Sequence, residues 1–150
     1  MNGEIGASPA YAAGRVFAAN QYAQAMALDA VTGDLLWTST RLEMPDAASP
    51  IATEEHLFLP TAYGVFSCVR AEDGTLVWEH EFDRGGYGSP ILAGNRIYWV
   101  TETGITHIFR AGSTFEAIAS PALGEPSMTT PAAVGPRLYL RGERHLFCIE

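Results

Sequence analysis

The 150-residue sequence contains no lysine. All nine basic residues are arginine, set against 17 acidic residues for a net charge of −8. An acidic chain without a Lys/Arg cluster lacks the electrostatic footprint of a nucleic-acid binder or of a protein drawn to anionic membrane surfaces. No apolar run approaches the about 18 residues that a helical membrane span needs. As it stands, the N-terminus MNGEIGASPA has neither a basic n-region nor an apolar h-region, so this chain shows no secretory signal. Helical periodicity is missing, while β-branched and aromatic residues crowd the apolar runs. No G-x-S-x-G, P-loop or G-x-G-x-x-G pattern occurs, which removes the common nucleophile-elbow and nucleotide signatures. Cysteine is scarce: Cys68 and Cys148 occupy the same place in two repeats, 80 residues apart. Equivalent positions two units apart should exceed the ~7 Å Cα limit for a disulfide, so both are expected to be small buried hydrophobes. The composition, 47% hydrophobic and 17% charged, is globular rather than disordered.

What the sequence does contain is an internal repeat. Ser8-Pro9, Ser49-Pro50, Ser89-Pro90 and Thr130-Pro131 recur at spacings of 41, 40 and 41 residues. A second marker keeps the same register: Arg15-Val16-Phe17, His56-Leu57-Phe58, Arg96-Ile97-Tyr98 and Arg137-Leu138-Tyr139. A period near forty with several short strands per unit points to propeller blades, which bury their faces only against neighbouring blades. Each unit reads as four strands. The first follows the Ser/Thr-Pro anchor, the second is a continuous apolar run such as RIYWV, and the third covers segments such as VFSCVRA. The fourth is DLLWTS, TLVWEH or FEAIAS. The expected fold is therefore all-β: a β-propeller of four-stranded antiparallel blades, about four of them. Residues 1–150 form a single partial domain with repeats at 8–48, 49–88, 89–129 and 130–150. The last repeat stops at Glu150, the equivalent of Asp29, Arg70 and Arg110, and so lacks its fourth strand. Propellers often close by pairing an N-terminal strand with the last blade. The expectation is accordingly a natural C-terminus and a missing N-terminal portion.

The turn between third and fourth strands carries the strongest local signal. Residues 27–37, ALDAVTGDLLW, resemble the tryptophan-docking motif of PQQ-type, quinoprotein-like propellers, Ala-x-Asp-x-x-Thr-Gly-x-x-x-Trp, at Ala27, Asp29, Thr32, Gly33 and Trp37. Residues 68–78 keep Gly74 and Trp78, with Cys68, Arg70 and Asp73 replacing the alanine, aspartate and threonine. Residues 108–118 have lost nearly all of it, and Ile118 replaces the tryptophan. The resemblance implies a structural role: glycine for a tight turn, Asp or Thr for local backbone bonds, and Trp37 and Trp78 as staples between blades. Trp99, in an apolar second strand, is expected in the core.

Quinoprotein dehydrogenases of this kind bind pyrroloquinoline quinone and calcium. The resemblance implies a vicinal cysteine pair, a Glu/Asn/Asp calcium cluster and a catalytic aspartate, and none is recognisable in this sequence. Catalytic, cofactor and metal residues are therefore expected to be absent from this segment. Glu54-Glu55 reads as a solvated turn. His56, His80, His107 and His145 have no metal-ligand spacing and read as structural or surface residues. Arg84-Gly85-Gly86-Tyr87-Gly88 reads as a flexible turn rather than a phosphate cradle.

In propellers, the loops entering each first strand share a face with those joining second to third strands, and binding residues favour such loops. This face would hold Asp46, Asp83 and Glu125. It supplies the candidate binding residues Tyr22, Tyr63, Arg84, Tyr87, Glu102, Arg141 and Arg144. The resemblance implies two functions. One is a non-catalytic, BamB-like protein-binding or assembly scaffold without cofactor, in a full-length protein that is periplasmic or otherwise extracytoplasmic. The other is the C-terminal half of a pyrroloquinoline-quinone-dependent dehydrogenase, of the alcohol or sugar type, whose catalytic residues lie outside this chain. The apolar faces of the end blades also suggest self-association.

Overall fold

The computed structural model describes residues 6–21 and 24–150 of the chain. The short period-2 strands of each repeat pair with their sequence neighbours, giving one antiparallel sheet per repeat. The first sheet runs β1 (Ala10–Ala12), β2 (Arg15–Ala19), β3 (Ala25–Asp29), β4 (Leu35–Ser39) in that spatial order. The second is β5 (Ile51–Ala52), β6 (His56–Pro60), β7 (Val65–Arg70), β8 (Leu76–Glu81). The third is β9 (Ile91–Ala93), β10 (Arg96–Val100), β11 (Thr106–Arg110), β12 (Ala117–Ala119). The last has three strands, β13 (Ala132–Val134), β14 (Arg137–Arg141) and β15 (Leu146–Ile149). The structure is thus an all-β propeller arc of about four blades, the last lacking its fourth strand, and the arc is not closed. No helix among the described residues is long and apolar enough to cross a membrane.

Successive sheets stack face to face, and the core lies between them. Phe17, Ala27 and Trp37 of the first sheet meet Leu57, Leu59 and Val69 of the second. Phe58, Phe66 and Cys68 of the second meet Ile97, Trp99 and Phe109 of the third, with Phe82. Each large side chain buried in this way stabilises by about 1.5–3 kcal/mol relative to exposure. Strand β6 is buried at all five positions because it has a sheet on either side. Strand β13 is exposed throughout and β15 at most positions, because no described sheet covers the outer side of the fourth blade. The two cysteines separate on this point. Both are free; Cys68 is buried and Cys148 is exposed, which corrects the expectation of two buried residues. Blade 3 covers Cys68, whereas the equivalent face of blade 4 is open. Burial alone pushes the Cys68 thiol up to about 12.

The repeated Ser/Thr-Pro anchors make a hydrogen-bonded relay across the arc. The Ser8 N–H donates to Ser49 Oγ at 2.9 Å, the Ser49 N–H to Ser89 Oγ at 2.8 Å, and the Ser89 N–H to Thr130 Oγ1 at 2.9 Å. A hydroxyl at the anchor therefore serves the blade before it, while the proline that follows fixes φ and removes a competing donor.

Between blades 2 and 3 the aromatic core reaches the rim through two histidines. His80 stacks on Phe115 with ring centroids 3.8 Å apart, and His107 lies 4.3 Å from Phe82. Burial lowers the His80 pKa. The His107 pKa is lowered by burial first and then by repulsion from His80, against the opposing pull of Asp83. The unfolded chain, with ordinary values near about 6.5, binds protons that the folded state refuses, so stability falls as pH falls through and below that value. Asp29, Asp73 and Glu125 have lowered values and keep their charge in this window, so their contribution is constant across it and is lost only at more acid pH. The melting temperature at pH 5.5 should lie below that at pH 7.5, and His107→Gln should reduce the difference. Equal melting temperatures at the two pH values would show that neither ring is held neutral by the fold.

Candidate functional site

The turns between third and fourth strands are built from local hydrogen bonds. The Asp29 carboxylate accepts from the N–H groups of Val31 (2.9 Å) and Thr32 (2.8 Å), Thr32 Oγ1 donates to Asp34 Oδ2, and the Gly33 N–H closes the turn on the Asp29 carbonyl. The bonds from Thr32 and Val31 hold the Asp29 carboxyl below its usual range. Gly33 and Gly74 have φ of +76° and +72°, a conformation that favours glycine. In both turns that keep the tryptophan, the β3–β4-type pairing shifts register just after the small residue opposite it, Ala27 facing Trp37 and Cys68 facing Trp78. Trp37 Nε1 donates to the Ala71 carbonyl of the next blade at 3.0 Å. Its ring lies so close to Gly74 that a Cβ there would stand 2.8 Å from Trp37 Cε3. Trp78 Nε1 donates to the Gly112 carbonyl of blade 3 at 2.8 Å. Ile118, where the tryptophan is replaced, is exposed.

The loops entering the first strands and the β-hairpins between second and third strands are bonded together. The Gln21 N–H donates to Pro45 O, the Phe82 N–H to Gly64 O, the Glu102 N–H to Gly85 O and the Glu143 N–H to Pro126 O. This brings most of the candidate binding residues to one end of the arc; Tyr22 lies outside the described residues. Tyr63 and Tyr87 are 49% and 51% exposed. The Tyr63 hydroxyl donates to Glu43 Oε2 at 2.5 Å, and partial burial followed by the Glu43 carboxylate raises its pKa. Arg84 approaches Glu102 at 3.8 Å across exposed surface, so the pair adds little stability and stays free to exchange partners. Arg141 turns one nitrogen onto the carbonyls of Gly142 and His145, and Arg144 Nε reaches Glu125 Oε2 at 3.3 Å.

Two readings of this face change with the structure. Gly85, Gly86 and Gly88 are buried, and a Cβ at each would collide with a backbone carbonyl, of Ala62, Val100 and Thr129 respectively. The glycine-rich turn is therefore close-packed rather than flexible. Glu125, expected on the loop surface, is buried at 6% exposure. Burial works to raise its pKa. The backbone and side chain of His145 outweigh that, with help from Arg144, and the net effect lowers it. Its carboxylate accepts from the N–H groups of Arg144 (3.3 Å) and His145 (2.9 Å) and clamps the β14–β15 hairpin. The corresponding sequence signal is slight: Asp46, in the same loop of blade 2, accepts from the Ala62 N–H of its own hairpin at 3.1 Å.

The family model described as "Outer membrane protein assembly factor BamB" matches residues 1–59 and 41–117, more than half of the chain. The chain belongs to this PQQ-like repeat family. The structure of BamB from Moraxella catarrhalis is similar with a TM-score of 0.82 at 18% identity, covering 97% of this chain and 46% of that one. The computationally designed Ika4 protein is similar at a TM-score of 0.76 and 10% identity, covering 99% of this chain and 98% of that one. A europium-containing methanol dehydrogenase is similar at 0.59 and 12% identity, over 78% of this chain and 26% of that one. At these identities the likeness shows the propeller fold alone. This chain spans about half the length of the BamB structure it matches. No curated protein matches the sequence.

Proposed function

We propose that the chain is a BamB-like protein-binding scaffold of an extracytoplasmic assembly machine, acting through the loop face rather than through catalysis. The observation that carries this reading is the half-exposed pair Tyr63 and Tyr87, set among Arg84, Glu102, Arg141 and Arg144 on bonded loops of the arc. Tyr and Arg are enriched among the side chains that dominate binding energy at protein interfaces, Tyr because it offers large area at low entropic cost and Arg because it offers several directional bonds. The family description supports the partner class, a protein engaged in outer-membrane assembly. A photo-crosslinking residue placed at Tyr63 or Tyr87 in cells should capture a discrete protein. The same residue at Glu72 or Ser113, on turns joining third and fourth strands, should not. Equal capture from both sets would remove the loop face from the account.

The likeness to methanol dehydrogenase favours one alternative, a portion of a pyrroloquinoline-quinone-dependent dehydrogenase. The residues described here do not suit that cofactor. A tricarboxylate wants several free cations, whereas Arg144 is engaged by Glu125 and Arg141 is folded onto carbonyls. Under this alternative the residues that hold quinone and calcium belong to sequence beyond this chain.

A further inference from the structure

The turn joining the first two strands of blade 2 breaks the repeat. Blades 1, 3 and 4 carry Ala12-Ala13-Gly14-Arg15, Ala93-Gly94-Asn95-Arg96 and Val134-Gly135-Pro136-Arg137 there, whereas blade 2 carries Thr53-Glu54-Glu55-His56. The other three turns each use a glycine at positive φ; blade 2 has none. Thr53 braces its turn instead: Thr53 Oγ1 accepts from the His56 N–H at 3.0 Å and donates to the His56 carbonyl at 3.2 Å. The Ala71 N–H holds the turn from the next hairpin, donating to the Glu55 carbonyl at 2.8 Å. This turn stands at the end of the arc opposite the loop face, between two cavities of about 510 and 260 Å³, and Glu54, Glu55 and His56 line both. The walls come from blades 1 to 3, and the larger cavity is within the size range of small-molecule sites. His56 replaces the arginine of the other repeats with a shorter side chain, directly across from Arg70. It is 9% exposed, yet its ring makes no hydrogen bond among the described residues, and the Glu55 carboxylate stands 3.9 Å away. A buried polar ring without a partner, facing a cavity, calls for one.

Both signs of charge line the larger cavity. Glu54, Glu72 and Arg15 have no ion-pair partner among the described residues, while Arg70 is held by Asp73 at 2.9 Å. A ligand of one charge would satisfy one set and be repelled by the other. We propose that this cavity binds a small zwitterion, an amino acid or dipeptide. Glu54, Glu55 and Glu72 take its ammonium group, Arg15 takes its carboxylate, and the His56 imidazole supplies a further hydrogen bond. Charge-assisted bonds of this kind are about twice as strong as neutral ones. The braced turn holds its part of the site before the ligand arrives, which lowers the ordering cost of binding.

Alanyl-alanine is the probe. Titrated into the full chain at low salt and followed by calorimetry, it should bind saturably with a Kd below about 1 mM. Putrescine and succinate carry one sign of charge each and should bind at least about tenfold more weakly, since each lacks one set of charged bonds. Arg15→Gln, and separately the double variant Glu54→Gln with Glu55→Gln, should each weaken the dipeptide by about tenfold or more. The two variants alter different walls of the cavity, so one remains informative should the other fail to fold. In proton spectra the His56 ring resonances should move as the dipeptide is added, while those of His145, at the other end of the arc, stay in place. No saturable binding of the dipeptide, equal binding of putrescine or succinate, folded variants that bind like the wild type, or an unmoved His56 ring would each overturn the proposal.

Discussion

Trp37→Ala should cost about 3–5 kcal/mol, the range for emptying a buried tryptophan site. Trp37 is 9% exposed, packs against Phe17 with ring centroids 6.1 Å apart, and fills the space over Gly74 in the next blade. The change leaves a cavity that spans two blades and strands the Ala71 carbonyl, so little relaxation can offset it. Against a typical domain stability of about 5–15 kcal/mol this is a large fraction. Trp37→Phe should recover most of the packing and lose chiefly the hydrogen bond, about 1 kcal/mol. Arg141→Ala, on the exposed hairpin, should shift stability by no more than about 0.5 kcal/mol. Urea unfolding of the three variants measures all of this, and an unmoved midpoint for Trp37→Ala would sink the role of this tryptophan as a staple.

Trp99→Ala should be as damaging, about 3–5 kcal/mol, for a different reason. Trp99 is fully buried and lies 5.3 Å from Phe66 and 5.4 Å from Phe82, edge-on to both, in the densest aromatic packing of the arc. Its Nε1–H has no hydrogen-bond partner among the described residues. An unpaired buried donor is itself unfavourable, so Trp99→Phe gives up no bond and should retain a larger share of stability than Trp37→Phe. The opposite ranking in the same unfolding series would show that the Trp99 N–H is satisfied in solution.

The fold was legible because two unrelated markers, the Ser/Thr-Pro anchor and the Arg/His-led apolar run, keep one register through four copies. Strand order follows from that directly, since each strand pairs with its sequence neighbour. The relay through Ser49, Ser89 and Thr130 was visible only as recurrence; its partners are 40 or 41 residues away, and the bonds exist only once blades stack. Cys68 and Cys148 are indistinguishable in sequence register, yet one is buried and one exposed, because burial depends on whether another blade follows. Glu125 reads like any acidic loop residue, and its clamp depends on the length of a side chain reaching across to a hairpin about twenty residues away. The loop face itself was legible as a set of positions on shared loops. Which of its side chains stand free was not: Tyr87 is open, whereas Arg144 is drawn toward Glu125.

The measurement that bears most directly on the central claim is an equilibrium titration of the full-length protein with pyrroloquinoline quinone, with calcium present and then chelated. A scaffold that works through its loop face predicts no saturable binding in either condition. Saturable, calcium-dependent binding at micromolar quinone would contradict it and make the chain part of a dehydrogenase.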